Sequence, residues 1–176
     1  MSIGGGGNPD DAMSLAVDNS VAAGVVHTIA AGNAGPGPAT IASPGTSRKA
    51  ITVAAACPPH SALSGACAQN IANFSSRGPL IWNTVDIQKP DVAAPGVMIC
   101  AARWANAFGS SPSCGPDTTR VRISGTSMAT PHMAGAAALI RQAYPNYTPA
   151  DVKQLLKNTA RSLGMGYDDQ GAGMID

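Results

Sequence analysis

The chain is short of charge and of rings. Lys, Arg, Asp and Glu make up 12% of its 176 residues and Phe, Trp and Tyr only 4%, whereas about a quarter of an ordinary soluble domain is charged. The formal net charge is +1, which gives neither the basic footprint of a nucleic-acid binder nor an acidic tail. No apolar run reaches the roughly 18 residues that a membrane-spanning helix needs, so no membrane is expected. The opening "MSIGGGG" has no basic stretch followed by an apolar one, and does not read as a secretory leader. Its glycines suggest a phosphate loop only weakly. No Gly-Lys-Ser/Thr follows, and Asp10 and Asp11 stand where phosphate would sit.

What the chain has in quantity is small and turn-forming residues. Gly numbers 20 and Pro 14, and many of the 44% hydrophobic residues are Ala and Val. The length suits one domain with a real core. So little charge implies either tight packing of small side chains or a surface that something else covers. The four cysteines fall into two local pairs, Cys57 with Cys67 and Cys100 with Cys114. Two disulfides in an oxidising compartment fit this spacing better than four buried thiols, so a secreted or extracellular location is expected.

The order of elements reads as strand, helix, strand from the start. "MSI" resembles the end of a strand. "NPDDAMSLAVDNSVAAG" is a helix with Asn8 as its N-cap, Pro9 in the first turn and Gly24 as its stop. "VVHTIAA" and "KAITVAAA" are nearly continuous apolar runs, as in strands buried on both faces. Shorter extended pieces are predicted around "ANFSS" and "GVMICAA", with "IWNTVDIQKPDVAAPG" as a loop excursion between them, and "TTRVRI" as a half-buried strand. A helix small or apolar nearly all round, and so central, is predicted from Thr126 to about Ala143. A last amphipathic helix begins at Thr148, with Asp151 completing a capping box and Val152, Leu155 and Leu156 facing inward. The predicted fold class is α/β, in three layers, with a mainly parallel sheet and helices on both faces.

The chemistry centres on "ISGTSMATPHMAGAAALI", residues 123–140. It places Ser127 where a strand turns into a helix. The first amides of a helix lack partners, and its dipole favours a developing negative charge. Both suit a serine nucleophile whose tetrahedral adduct is an oxyanion, although Ser127 or Thr126 as a plain N-cap is the commoner use of such residues. Asn33, in "AAGN", ends a buried strand at the edge where open parallel sheets bind ligands. It is either a turn residue or an amide donor aimed at that anion.

Together these stretches resemble the subtilisin-like serine proteases, the subtilases. "GTSMATPHMAGAAALI" matches their nucleophile block, and "MSIGG", "VVHTIAAGNAG", "ASPG", "ITVAA", "NFSSRGP", "KPDVAAPGV" and "GAGMID" match other blocks in order. The resemblance implies a partial subtilisin-like fold over residues 1–176 as a single, incomplete domain, with serine endopeptidase chemistry through an acyl-enzyme. It implies Ser127 as nucleophile and Asn33 as oxyanion donor beside the Ser127 amide. It gives Ser2, Ile3 and Gly4 as the strand that pairs with an extended polypeptide substrate. Ala30, Ala31 and Gly32 become a wall of the primary specificity pocket, Ala42 its floor, and Thr126 a further cleft residue. Met128, next to the nucleophile, implies sensitivity to oxidation.

The expected proton acceptor is missing. Subtilases run Asp, His, Ser along the chain, and neither the D-T/S-G nor the H-G-T-H block is present. His132 is five residues past Ser127, about 140° around a helix, so it points away. His27 reads as a mid-strand core histidine, and His60 lies in the cysteine loop. An N-terminal half of the catalytic domain, supplying Asp and His, is therefore the expected partner. No cofactor or metal is expected in this chain. Calcium belongs with the missing half, and at a weaker site near Gly45 and Asp91 the ammonium of Lys89 takes the cation's place. The alternative to a protease is a peptide-binding or inert piece of the same fold.

Overall fold

A computed structural model describes residues 1–58, 65–67, 70–105, 107–109 and 111–176. Its centre is a parallel sheet of three short strands, β1 (Thr28–Ala30), β2 (Ile51–Ala56) and β5 (Val92–Pro95), in the order β1-β2-β5. Thr28 pairs with Ile51, and Val53 with Val92. All six residues of β2 are buried, as expected of a strand covered on both faces.

The alternation of side chains along these strands divides the core in two. Ile51, Val53, Ala55, Val92 and Ala94 face helix α2 (Thr126–Ala143) through Ala129, Met133 and Ala137. The four-residue spacing of those three keeps them on one side of the helix, and their small size lets it lie close on the sheet. Met133 is fully buried, so truncating it to Ala costs about 2–5 kcal/mol. Val152 and Leu156 of α3 (Pro149–Thr159) join the same cluster. On the other face, Val17 and Val21 of α1 (Ala12–Ala22) pack on Ile29, while Ala54, Ala56 and Ala93 meet Ile71 and Met174. Helices thus cover both faces, in the three layers expected.

The rest of the chain hangs on this centre. β3 (Ile81–Trp82) and β4 (Val85–Asp86) form a hairpin. β6 (Ile99–Ala102), β7 (Ser113–Cys114) and β8 (Asp117–Ile123) form an antiparallel sheet whose last strand leads into α2. A one-turn helix, α4 (Tyr167–Gln170), lies near the end. Both expected disulfides are present, Cys57–Cys67 and Cys100–Cys114, with S–S distances of 2.02 and 2.06 Å.

Several sequence expectations need correcting. Residues 1–4 are not a strand: Met1 bonds to Thr28 and Ala30 of β1, and only Gly5 bridges to Ser43. The cap of α1 is Asp11, whose Oδ1 accepts the Ser14 amide at 2.8 Å. Asn8 instead accepts the Asp10 amide in a turn before it. The stretch read as a loop excursion contains the β3–β4 hairpin and β5, a strand of the main sheet. The predicted extended piece "ANFSS" is a turn. His27 precedes β1 and is half-buried, its Nε2 2.9 Å from Ser20 Oγ. Helix α2 is not buried all round: Ala134, Gly135, Ala138 and Leu139 are exposed.

Candidate active site

The parallel strands end at a cleft of about 650 Å³ lined by Ser2, Ile3, Gly4, Ala30, Gly32, Asn33, Ala42, Thr126 and Ser127, among others. The chain enters it from two directions. After β1 the backbone turns at Gly32, where φ is +109° and a Cβ would lie 2.7 Å from Ser76 Oγ and 2.9 Å from Ala42 Cβ. Only glycine fits this position. The turn delivers Asn33. From the other side β8 ends at Ile123, Gly125 donates its amide to Gly96 O at 2.8 Å, and α2 begins at Thr126.

Thr126 locks the two arms together. Its amide and its hydroxyl both reach Asn33 Oδ1 at 2.9 Å, and the hydroxyl oxygen accepts the Gly32 amide at 3.3 Å. An amide N–H can only donate, so the Asn33 carboxamide must turn its oxygen to Thr126. Nδ2 is then left for a ligand, and among the described residues it meets no acceptor. The same holds for the Ser127 amide, in the first turn of α2, where helix geometry provides no partner. The Met128 and Ala129 amides, by contrast, both return to Gly125 O. The two donors share one neighbouring point. The point that a Cβ on Gly125 would occupy is 3.6 Å from Ser127 N and 3.7 Å from Asn33 Nδ2.

Ser2 adds a third tie. Its hydroxyl donates to the Ser127 carbonyl at 2.9 Å, which sets residues 2–4 beside the helix start. Ile3 is 52% exposed and Gly4 is also exposed, so this segment is open to an extended ligand along one side. The Gly4 position lies against Ala42, a Cβ there being 3.1 Å from Ala42 Cβ. Of the ten residues expected at the site, nine line the cleft. Ala31 does not. It is fully buried, donates to Val53 O, and accepts the Ala42 amide at 2.9 Å, so it positions the floor from behind. Alternation already separates it from Ala30 and Gly32, which point the other way.

Neither described histidine reaches the cleft. His132 is exposed, with Nδ1 2.8 Å from its own helix at Met128 O. His27 is held by Ser20, and burial, followed by the positive chain terminus, lowers its pKa. His60 lies outside the described residues.

The cation position suggested near Gly45 and Asp91 holds ammonium groups. Asp91 Oδ2 accepts Lys89 Nζ at 2.6 Å and Oδ1 accepts Lys153 Nζ at 2.8 Å. Both ammoniums also donate to Ala50 O, and Gly45 O accepts the Thr52 hydroxyl. With both carboxylate oxygens already occupied by positive groups, these residues do not fit a metal ion.

Comparisons with known proteins identify the family. The model of the subtilase family, peptidase family S8, matches residues 1–174. Serine protease AprX of Bacillus subtilis (strain 168) is 44% identical over 165 residues, covering 90% of this chain and 36% of its own. Subtilisin-like protease SBT1.2 of Arabidopsis thaliana is 47% identical over 113 residues, 62% of this chain and 14% of its own. Among solved structures, Sphericase superposes with a TM-score of 0.75 at 29% identity, over 99% of this chain and 55% of its own. A psychrophilic protease gives 0.73 at 32%, over 100% of this chain and 55% of its own. The chain thus spans little more than half the length of the structures it resembles, and about a third of AprX.

Proposed function

We propose a function from one premise: this chain belongs to the subtilase family. It is the part of a serine endopeptidase that carries the nucleophile, the oxyanion hole and one side of the substrate cleft. The observation that carries this reading is that Ser127 N and Asn33 Nδ2 both lie within 3.7 Å of one point beside Gly125.

In this mechanism an extended polypeptide pairs its backbone with Ser2–Gly4, so much of its affinity comes from main-chain hydrogen bonds. Its side chain at the cleavage position enters the cleft between Ala30, Gly32 and Ala42. Among the described residues none lining it is charged, which favours an apolar side chain. Ser127 Oγ attacks the scissile carbonyl, and the oxygen that gains charge is received by Asn33 Nδ2 and the Ser127 amide. Both donors are fixed before the reaction, so no reorganisation accompanies charge development.

The serine proton must go to a base. The two described histidines, His132 and His27, are engaged elsewhere, and the family order Asp, His, Ser assigns the base and the aspartate that orients it to a segment N-terminal to these 176 residues. That N-terminal half is the proposed partner. The two disulfides support action in an oxidising, extracellular setting, and no metal is assigned to the residues of this chain.

The test is hydrolysis of a chromogenic peptide by the 176-residue chain alone and after joining to a segment carrying His and Asp. The reading expects near-baseline rates for the first and serine-dependent turnover for the second, abolished by Ser127→Ala. Turnover that survives Ser127→Ala would refute it.

A further inference from the structure

A second cavity, of about 570 Å³, lies at the opposite end of the sheet from the cleft, between the end of α1 and the start of α3. Its apolar lining includes Val21, which is buried, and Ala22, Pro149 and Ala150 nearer the surface. Its ionisable lining is wholly cationic: Arg48, Lys49, Lys153 and Lys157. In a chain with only 11 cations and a net charge of +1, four in one groove without a carboxylate is a marked segregation. Another cavity, of about 520 Å³, is the reverse, with Asp86, Asp168 and Asp169 around Arg77.

The local compensation is short of negative charge. Arg48 has Asp10, 2.7 Å away at the rim. Lys153 turns its ammonium inward to Asp91, but that one carboxylate also serves the buried Lys89. Lys49 and Lys157 have no carboxylate within ion-pair distance among the described residues. Lys157 rests only near the ring of Tyr167, 5.7 Å from its centroid. The Thr148–Asp151 capping box already closes the start of α3, so the surplus belongs to the side chains and not to the helix end.

We propose that this groove docks an acidic peptide segment of a partner protein, with Lys49 and Lys157 meeting carboxylates on either side of an apolar residue seated against Val21 and Pro149. Free anions such as phosphate fit the charge but leave the apolar lining unmatched. Because the groove lies at the N-terminal ends of β1 and β2, and the cleft at their C-terminal ends, the docked segment is held away from the cleavage site.

The test is fluorescence anisotropy of the 176-residue chain with fluorescein-labelled Glu-Glu-Leu-Glu-Glu, against the same peptide with Gln for each Glu. The acidic peptide is expected to bind and the Gln peptide to bind at least about tenfold more weakly. Raising NaCl from 50 to 300 mM should weaken binding several-fold, as the pairs are exposed to screening. Lys49→Glu with Lys157→Glu should weaken it about tenfold or more. Lys49→Gln with Lys157→Gln should do so by less, with unfolding midpoints unchanged in both. Equal binding of the two peptides, no binding of the acidic one at millimolar concentration, or an affinity unmoved by charge reversal would overturn the proposal. So would charge-dependent binding of a DNA oligonucleotide in place of the peptide.

Discussion

Thr126 gives two protons, one from its amide and one from its hydroxyl, to the same oxygen of Asn33, each across 2.9 Å. These contacts bridge 93 positions of sequence and determine which end of the carboxamide faces the cleft. Asn33 is exposed, so packing alone does not fix its side chain. Two hydrogen bonds, each of net worth about 0.5–1.5 kcal/mol, hold it in the orientation that presents Nδ2. The activity predictions below refer to the chain joined to a segment that supplies the histidine and the aspartate.

Gly125 keeps the space between the two donors open. An added methyl would lie 3.6–3.7 Å from Ser127 N, Asn33 Nδ2 and Met128 Sδ, which is ordinary contact. Its φ of 162° is extended backbone that any residue adopts. Gly125→Ala is therefore expected to fold with an unfolding midpoint within about 2 °C of the parent. Its kcat should fall about tenfold to a hundredfold, because the methyl would crowd the space in front of the two proposed donors. A thermal melt and a kcat measurement check both halves.

Met128 presents its sulfur at 3.6 Å from that same point. Oxidation to the sulfoxide adds a polar oxygen beside the donors. Treatment with peroxide should remove most of the turnover, and Met128→Leu should retain it under the same treatment. Met13 is 48% exposed and does not line the cleft itself, so Met13→Leu should give no protection. Residual activity followed against peroxide exposure compares the three.

The Lys89–Asp91–Lys153 cluster should respond asymmetrically to mutation. Lys89 is buried, with 1% of its surface exposed, and burial lowers its pKa to about 8 despite the attraction of Asp91. Lys89→Met removes an ammonium that is costly to bury and leaves Asp91 paired with Lys153, so stability should change by less than about 1 kcal/mol. Asp91→Ala leaves two ammoniums on one carbonyl and should cost about 3–5 kcal/mol. Burial pushes the Asp91 carboxyl up, but Lys89 and Lys153 outweigh it and hold the carboxyl below its ordinary 3.8. The stability this gives is complete above that value and is lost as the pH falls below it. Urea midpoints at pH 7 and pH 3 measure each effect.

Much of this arrangement was legible in the sequence, for local reasons. The start of α2 follows from a strand, two turn-forming residues and a proline in the first helical turns, and Thr148 with Asp151 is a complete cap signal. Strand β5 was not legible. Its four residues, Val92–Pro95, are too few to show a period, and Pro90 before it with Pro95 at its end signals a loop. The cap of α1 was ambiguous because Asn8, Asp10 and Asp11 can all cap. Asp11 prevails with one oxygen on Ser14 N and the other on Asn8 N. No local pattern joins Asn33 to Ser127; only resemblance to a family did. The burial of Ala31, in contrast, could have been read from strand alternation alone.

The most direct test of the central claim is the turnover of Asn33→Leu, a near-isosteric change that removes the donor. The account predicts that kcat falls about a hundred- to a thousandfold, a magnitude known for subtilisin itself and carried over to this chain, while KM changes by less than about threefold. A kcat within twofold of the parent would contradict it.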